Sequence, residues 1–313
     1  MKAILIHQFG GPEVLKLEHV SRPEPKAREV LVRIRAASIN PVDWQTRAGL
    51  GMAEQIRSFP VVLGWDLSGE IEAIGAGVMR FKIGDQVYGM PRYPELASTY
   101  AEYAVAPEQD LAFKPRNLTH REAAAMPLAA LTAHQALEAM KLQAGQTLLV
   151  HAAAGGVGHF ALQLARARGA SVIGMDSHNN RQLIRDLGAE FLDDTLEPFE
   201  RHLEPVDAVL DALGGEVQAR SLEVIKPGGY LVSLIEPVPE SLHVHRPGVH
   251  TRYIVVKPSG LHLEHLAGLV ERGQLKPTLS QIFPLEQVVE AHRFIEQHYV
   301  SGKIVLEMTS NPV

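Results

Sequence analysis

Residues 147–158 read TLLVHAAAGGVG, an apolar strand that runs directly into a glycine-rich turn. The apolar residues in and after this turn repeat with the spacing of one helical face: Val157, Phe160, Ala161, Leu164 and Ala165. A strand, a glycine turn and a helix in this order suit a pyrophosphate, because backbone N–H groups and the positive end of the helix dipole face it. Gly155 would allow the close approach, and Gly158 would let the helix pack tightly against the strand. The stretch therefore predicts a dinucleotide-binding Rossmann domain.

Two observations weigh against reading every glycine pair in this way. The first glycine of the usual G-x-G-x-x-G pattern is replaced by Ala153, so the turn could be an ordinary strand-to-helix connection. A second G-x-G occurs at residues 75–77, but Arg80 takes the place of its third glycine. We interpret residues 75–77 as a hairpin-type turn and keep residues 152–158 as the phosphate site.

The choice of dinucleotide stays open at the end of the next strand. Asp176 follows Gly158 by 18 residues, where an acid would bind the ribose diol of NAD. Ser177, Asn179 and Arg181 come just after it and offer donors for the 2′-phosphate of NADP. Asp176 favours NAD(H), whereas its neighbours favour NADP(H).

Composition excludes several classes of function. The net charge of -6 argues against nucleic acid as a partner, because a phosphate backbone selects basic surfaces. No run of about 18 apolar residues is present, so no membrane-spanning helix is expected. The chain has no cysteine, which excludes disulfides, thiolate metal ligands and a cysteine nucleophile. We expect a cytoplasmic enzyme.

The character of the chain changes near residue 119. The first 115 residues contain short apolar runs separated by Gly and Pro, which predicts a β-barrel-like domain. Thr119 and Glu122 then form a capping-box pattern, and Pro127 divides the following apolar run into helices over 120–126 and 128–139. From residue 145 strands and helices alternate, which predicts a parallel sheet and an α/β fold.

Several further motifs occur in a fixed order along nearly the whole chain. They are GGPEVL at 10–15, SINPVDW at 38–44, LGWDLSG at 63–69, PLAALTA at 127–133, AAAGGVG at 152–158, IKPGG at 225–229 and SGKIV at 301–305. With these motifs the chain resembles the medium-chain dehydrogenase/reductase superfamily, in its zinc-independent, quinone oxidoreductase-like (zeta-crystallin-like) branch. The AxxGxxG motif of that branch coincides with Ala152, Gly155 and Gly158.

The resemblance implies two domains and a reaction. A GroES-like β-barrel catalytic domain would comprise residues 1–120, completed by 259–313, and a doubly wound Rossmann domain would comprise residues 121–258. Zinc-using relatives carry a Gly-His-Glu motif where this chain has Gly64-Trp65-Asp66, so no zinc and no other metal is expected. The implied activity is hydride transfer from NADPH to a quinone or an α,β-unsaturated carbonyl.

The resemblance also assigns roles to single residues. Asn40 would lie near the substrate, with Asp43 bracing its loop, and Thr132 would contact the nicotinamide or its ribose. Asn40 and Thr132 are thus the catalytic candidates. The other cofactor-binding candidates are Gly155, Gly156 and Val157 for the pyrophosphate, Asp176, Ser177, Asn179 and Arg181 for the adenosine ribose, and Leu213, Ser233, Val255 and Lys303 for the nicotinamide side.

Other readings remain open. Asn40 before Pro41 could simply cap a turn. The tyrosines that some quinone oxidoreductases have after the asparagine are replaced by Gln45 and, approximately, Gly51, so water could supply the proton. A catalytically weak nucleotide-binding protein, crystallin-like or sensor-like, is one alternative, and an NAD-dependent dehydrogenase is another. A homodimer is expected by analogy, through an edge strand near residues 253–256.

Overall fold

The computed structural model describes residues 1–193, 195, 198–243, 246, 248–297 and 300–308. In chain order the strands there are β1 (Lys2–Ile6), β2 (Lys16–His19), β3 (Glu29–Ile39), β4 (Val61–Val62), β5 (Asp66–Ile74), β6 (Gln86–Gly89), β7 (Tyr103–Pro107), β8 (Leu111–Phe113), β9 (Thr147–His151), β10 (Ser171–Asp176), β11 (Glu190–Asp193), β12 (Val206–Asp211), β13 (Ile225–Ser233), β14 (His250–Tyr253), β15 (Leu279–Pro284) and β16 (Lys303–Glu307). The α-helices are α1 (Pro41–Arg47), α2 (His120–Ala124), α3 (Pro127–Ala139), α4 (Gly158–Ala167), α5 (Arg181–Asp186), α6 (Gly215–Ser221), α7 (Glu240–His243), α8 (Gly260–Glu271) and α9 (Val288–Gln297).

These elements form two compact units. The first comprises Met1–Leu131 together with Lys257–Val313, and the second comprises Thr132–Val256. In the described ranges, no helix has the length and apolarity needed to cross a membrane.

The first unit is mainly antiparallel β-structure. One sheet has the strand order β2-β1-β4, and the larger one has the order β15-β16-β3-β5-β6-β8, with β7 also paired to β3. β3 is the long central strand of the larger sheet, and its side chains are mostly buried. The core between these strands contains Ile4, Val32, Leu67 and Tyr100 among others. This is the GroES-like β-domain that the sequence predicted.

The second unit is built on one parallel sheet with the order β11-β10-β9-β12-β13-β14. The chain starts in the middle at β9, moves outward to β11, and then returns to the other side of β9 with β12. This is the doubly wound Rossmann order, and the α/β fold class is confirmed. The direction of winding reverses between β9 and β12, which places the topological switch point there.

Local signals near residue 119 also hold in the structure. Thr119 Oγ1 accepts a hydrogen bond from the backbone N–H of Glu122 (3.3 Å), and a Glu122 carboxylate oxygen accepts one from the N–H of Thr119 (2.8 Å). The apolar run is divided into two helices at Pro127, as predicted, but α2 ends at Ala124 and Pro127 itself begins α3, where its missing N–H costs no hydrogen bond. Residues 75–77 form the turn that follows β5, as predicted for a non-phosphate glycine pair.

Candidate functional site

The glycine turn connects the carboxyl end of β9 to the start of α4. Ala152, its first residue, has a left-handed backbone (φ 45°), which is uncommon for a residue with a side chain. A Cβ at Gly158 would lie only 2.3 Å from the carbonyl oxygen of Ala152, so only glycine fits where α4 approaches the turn. Such close packing of the helix start against the strand is what a phosphate site requires.

The amide groups of the turn divide into two sets. The amide of Ala153 donates to Met175 O, and the amide of Ala154 donates to Asp176 Oδ2. The amide of Gly155 donates to Ala152 O. Within the described part of the chain, the amides of Gly156 and Val157 form no such hydrogen bonds. The first N–H groups of a helix have no intrahelical partner, so these two remain available to an anion.

Asp176 ends β10 and holds the turn rather than standing free. Its Oδ2 accepts from the amide of Ala154 (2.8 Å), and its Oδ1 accepts from the amide of Ser177 (2.8 Å) and Nδ2 of Asn180 (2.7 Å). A carboxylate offers about four acceptor positions, of which three are used here. Bidentate binding of a ribose diol needs two, so the acid available for NAD is already largely engaged.

The other residues at the adenosine side surround Asp176. Ser177 is half-buried and Asn179 is exposed. Arg181 begins α5, and its guanidinium carbon lies 5.1 Å from the centre of the Phe191 ring. Its Nε is buried with no hydrogen-bond partner among the described residues. An oriented guanidinium with an unused donor fits a phosphate group.

The residues predicted for the nicotinamide side follow β12 and β13. Leu213 and Val255 are 43% exposed each, whereas Ser233 is fully buried. Ser233 Oγ donates to Asp211 Oδ2 at 2.8 Å. Thr132 lies in α3 and is buried. Asp211 was not among the predicted site residues, although its position at the end of an apolar strand was a usable signal.

In the first unit, Asn40 lies in a buried polar cluster at the start of α1. Its Nδ2 donates to Asp66 Oδ2 (2.8 Å), and its Oδ1 accepts from Nζ of Lys303. Lys303 also donates to the carbonyl oxygen of Ile39 (3.0 Å). Asn40 directly precedes α1, which agrees with the alternative prediction that it caps a turn. Its side chain, however, is held by the carboxylate of Asp66 and the ammonium of Lys303.

The structure therefore brings only some of the predicted site residues together. Gly155, Gly156 and Val157 share one turn, while Asn40 and Lys303 share one cluster. The ammonium of Lys303, predicted for the cofactor, is used by acceptors of the first unit.

Asp66 accepts three hydrogen bonds and also lies beside the ammonium of Lys303. Besides Asn40, its oxygens accept from Ser38 Oγ (2.6 Å) and the amide of Leu128 (2.8 Å), and Lys303 Nζ lies 3.8 Å away. The bond to Leu128 caps α3. Burial raises the pKa of Asp66, although Lys303 and the hydrogen-bond donors oppose this. Burial likewise lowers the pKa of Lys303.

Asp43 is the second buried carboxylate of this cluster. Its Oδ2 accepts from the backbone N–H of Asn40 at 2.6 Å, which braces the first turn of α1. Burial and the nearby charge of Asp66 raise the pKa of Asp43 to about 7, against the opposing influence of the Asn40 amide and Lys303.

The residues at the Gly-His-Glu position do not fit a zinc site. Trp65 is fully buried and donates from Nε1 to the carbonyl oxygen of Glu95 (2.7 Å). The oxygens of Asp66 are occupied by three donors, and an ammonium already lies beside them. Zinc sites need deprotonated Cys, His or carboxylate ligands with free lone pairs, and a cation next to Lys303 would be repelled.

Known proteins resemble this chain over almost its whole length. Residues 26–116 match the family described as "Alcohol dehydrogenase GroES-like domain", and residues 187–306 match "Zinc-binding dehydrogenase". The "NADPH-dependent alkenal/one oxidoreductase, chloroplastic" of Arabidopsis thaliana is 35% identical over 98% of this chain and 79% of its own length. The "Quinone oxidoreductase" of Pseudomonas aeruginosa is 35% identical over 97% of this chain and 99% of its own.

A solved structure gives the same result. The quinone oxidoreductase from Coxiella burnetii superposes with a TM-score of 0.93 at 36% identity, covering 99% of each chain. The chain thus belongs to the medium-chain dehydrogenase/reductase superfamily, among its quinone oxidoreductase-like members.

Proposed function

We propose that this protein is a zinc-independent, NADPH-dependent oxidoreductase that reduces a quinone or an α,β-unsaturated carbonyl. The observation that carries the proposal is the glycine turn at the carboxyl end of β9, with the amides of Gly156 and Val157 open to an anion. It is supported by relatives named for quinone and alkenal/one reduction. When bound, NADPH supplies the hydride from its nicotinamide ring.

The protein's own residues hold and orient the two reactants in this proposal. The amides of Gly156 and Val157 bind the pyrophosphate, and Gly155 lets it approach the backbone closely. Ser177, Asn179 and Arg181 bind the 2′-phosphate. Asp176 keeps the turn in shape and offers a ribose diol only one acceptor position, which favours NADPH over NADH. Thr132 would contact the nicotinamide ribose.

Asn40 is the residue that we propose to contact the quinone or enone acceptor. One N–H of its Nδ2 donates to Asp66, and the second forms no hydrogen bond within the described residues. The Lys303 ammonium on its Oδ1 polarises the amide and strengthens that second N–H as a donor. We assign it to the carbonyl oxygen that gains negative charge during reduction. In this assignment residues 1–120 and 259–313 serve as the catalytic domain, and residues 121–258 bind the dinucleotide.

The decisive assay follows NADPH oxidation with 9,10-phenanthrenequinone or a 2-enone as the acceptor. Turnover is expected with NADPH, and dialysis against a chelator is expected to leave it unchanged. NADPH binding without turnover of any acceptor would refute the enzymatic function and favour a nucleotide-binding protein. Loss of activity on chelation would refute the metal-free site.

We further propose that the protein is a cytoplasmic homodimer. The two copies would pair through the edge of the Rossmann sheet. β14 is the last strand of that sheet. Tyr253, its final residue, is 44% exposed, and Val255, two residues further along the chain, is 43% exposed. An edge strand has unpaired N–H and C=O groups that a second copy can use. Light scattering should give twice the chain mass of 34.3 kDa, and a monomeric mass would refute the dimer.

A further inference from the structure

Asp211 is the most heavily hydrogen-bonded carboxylate described in the second unit, and no role in cofactor binding follows for it from the glycine turn. It is fully buried at the carboxyl end of β12. Its Oδ1 accepts from Nδ1 of His151 (3.2 Å) and from the amides of Leu213 (3.1 Å) and Gly214 (2.9 Å). Its Oδ2 accepts from Ser233 Oγ (2.8 Å) and Gln218 Nε2 (3.0 Å).

These donors come from the carboxyl ends of three adjacent strands. His151 ends β9 immediately before the glycine turn, and Ser233 ends β13. β12 lies between these two strands. Asp211 therefore joins the two sides of the switch point, the place where open α/β sheets bind their ligands.

The loop after β12 depends directly on this carboxylate. Gly214 has a left-handed backbone (φ 72°), and its amide points to Asp211 Oδ1. The amide of Leu213 points to the same atom, so one oxygen sets the path of the chain just ahead of α6.

The loop after β13 is tied to the same centre through Ser233. Its Oγ accepts from the amides of Ile235 (3.2 Å) and Glu236 (3.3 Å) while donating to Asp211. Gln218 Nε2 also reaches the carbonyl oxygen of Glu236 at 3.2 Å. Both loops on the β12–β13 side thus take their shape from one buried carboxylate.

His151 is fixed on its other side as well. Its Nε2 lies 3.0 Å from Ser221 Oγ of α6, and both side chains are fully buried. The ring therefore bridges β9 and α6. Burial alone would raise the pKa of Asp211, but the hydrogen bonds from His151 and from the amides of Gly214 and Leu213 hold it below its usual range.

We propose that Asp211 is a positioning residue that shapes the nicotinamide half of the dinucleotide site by clamping the ends of β9, β12 and β13. This rests on the proposed function, since it requires that a dinucleotide binds at the switch point. Each half of a doubly wound sheet serves one mononucleotide of the cofactor. The clamp acts on the β12–β13 half, whereas the adenosine candidates Ser177 and Arg181 follow β10.

The test compares two ligands by isothermal titration calorimetry: NADPH and adenosine 2′,5′-bisphosphate, which contains only the adenosine half. Asp211→Asn is expected to raise the Kd for NADPH by about tenfold, because donors of both loops lose their charged acceptor. The Kd for adenosine 2′,5′-bisphosphate should stay within about twofold of wild type. A general loss of structure would weaken both ligands together.

Two further variants make the test decisive. Ser233→Ala removes one arm of the clamp and should raise only the NADPH Kd, by about threefold, so it decides the question if Asp211→Asn does not fold. Asp207→Asn is the matched control, because Asp207 lies at the amino end of the same strand and accepts from the amide of Thr147. It should change neither Kd.

Failure of the clamp and failure of the proposed function give different results. Equal weakening of both ligands by Asp211→Asn or Ser233→Ala, or no weakening of either, would overturn the clamp. If the wild-type protein binds neither NADPH nor the bisphosphate, the proposed function itself fails and the clamp fails with it.

Discussion

Replacing Asp176 by alanine tests whether this acid selects the cofactor or supports the turn that binds it. If Asp176 only selected the cofactor, it would repel the 2′-phosphate of NADPH and bind the ribose diol of NADH. Its removal would then improve NADPH binding and weaken NADH binding. In the structure, however, the Asp176 carboxylate holds the amide of Ala154 within the glycine turn at 2.8 Å and also binds Ser177 and Asn180. We expect the supporting role to dominate.

The size of the effect follows from the bond to Ala154. A hydrogen bond to a charged group contributes about 1.5–3 kcal/mol, and Asp176 is half-buried, so the lower end applies. A loss of about 1.4 kcal/mol corresponds to a tenfold change in affinity. Both the NADPH and the NADH Kd should therefore rise by about tenfold, and their ratio should stay within about threefold.

Calorimetric titration of both cofactors measures this directly. Asp186→Ala is the control, because Asp186 is an exposed carboxylate of α5 whose Oδ1 accepts from Gln182 and which does not touch the turn. It removes the same charge without removing the support. A shift of the Kd ratio towards NADPH by more than about tenfold in Asp176→Ala, absent from the control, would refute the reasoning.

Three further predictions concern single side chains. In the same titrations, Arg181→Leu should raise the NADPH Kd by about tenfold or more and leave the NADH Kd unchanged, because only NADPH has the 2′-phosphate. An equal loss of affinity for both cofactors would contradict this prediction. Lys303→Met should lower the free energy of unfolding in urea by about 3–5 kcal/mol, since it leaves Asp66 buried without its cation, whereas Lys226→Met at an exposed ion pair should cost less than about 1 kcal/mol. Comparable losses in the two lysine variants would show that the Lys303 charge is not needed. Asp43 has its pKa raised by burial to about 7, so the folded state holds a proton that the unfolded state releases from about pH 4 upward. Wild-type stability should fall from pH 4 to 7 by a component that Asp43→Asn lacks, and parallel urea-derived pH profiles for the two proteins would contradict this.

The glycine turn could be predicted from the sequence because its geometry depends on consecutive residues. Strand, turn and helix start all lie within residues 147–158, so spacing alone fixed their order. The position of Asp176 at the end of the next strand followed from the same pattern. Its bond to Ala154 could not be predicted, because the direction of a side chain depends on how β10 lies against β9.

The cluster around Asn40 needed information that is spread along the chain. Asn40 and Lys303 are 263 residues apart and meet because β16 pairs antiparallel with β3, with Ile304 opposite Ile39. That register places Lys303 beside Asn40. Without it, the sequence suggested only a cofactor contact for Lys303, and Asp66 was noted only for differing from a zinc motif.

The two units contain buried carboxylates of opposite electrostatic character. The pKa of Asp66 is raised because burial outweighs its donors, and the pKa of Asp43 beside it is raised to about 7. The pKa of Asp211 is lowered, because His151 and two backbone amides outweigh the effect of burial. Asp211 therefore stays ionised across the physiological range, and its own titration does not alter the loops that it holds. Asp43, which lies beside Asn40, has its pKa raised to about 7, so pH dependence that arises from this carboxylate should affect the reduction of the acceptor rather than the binding of the cofactor.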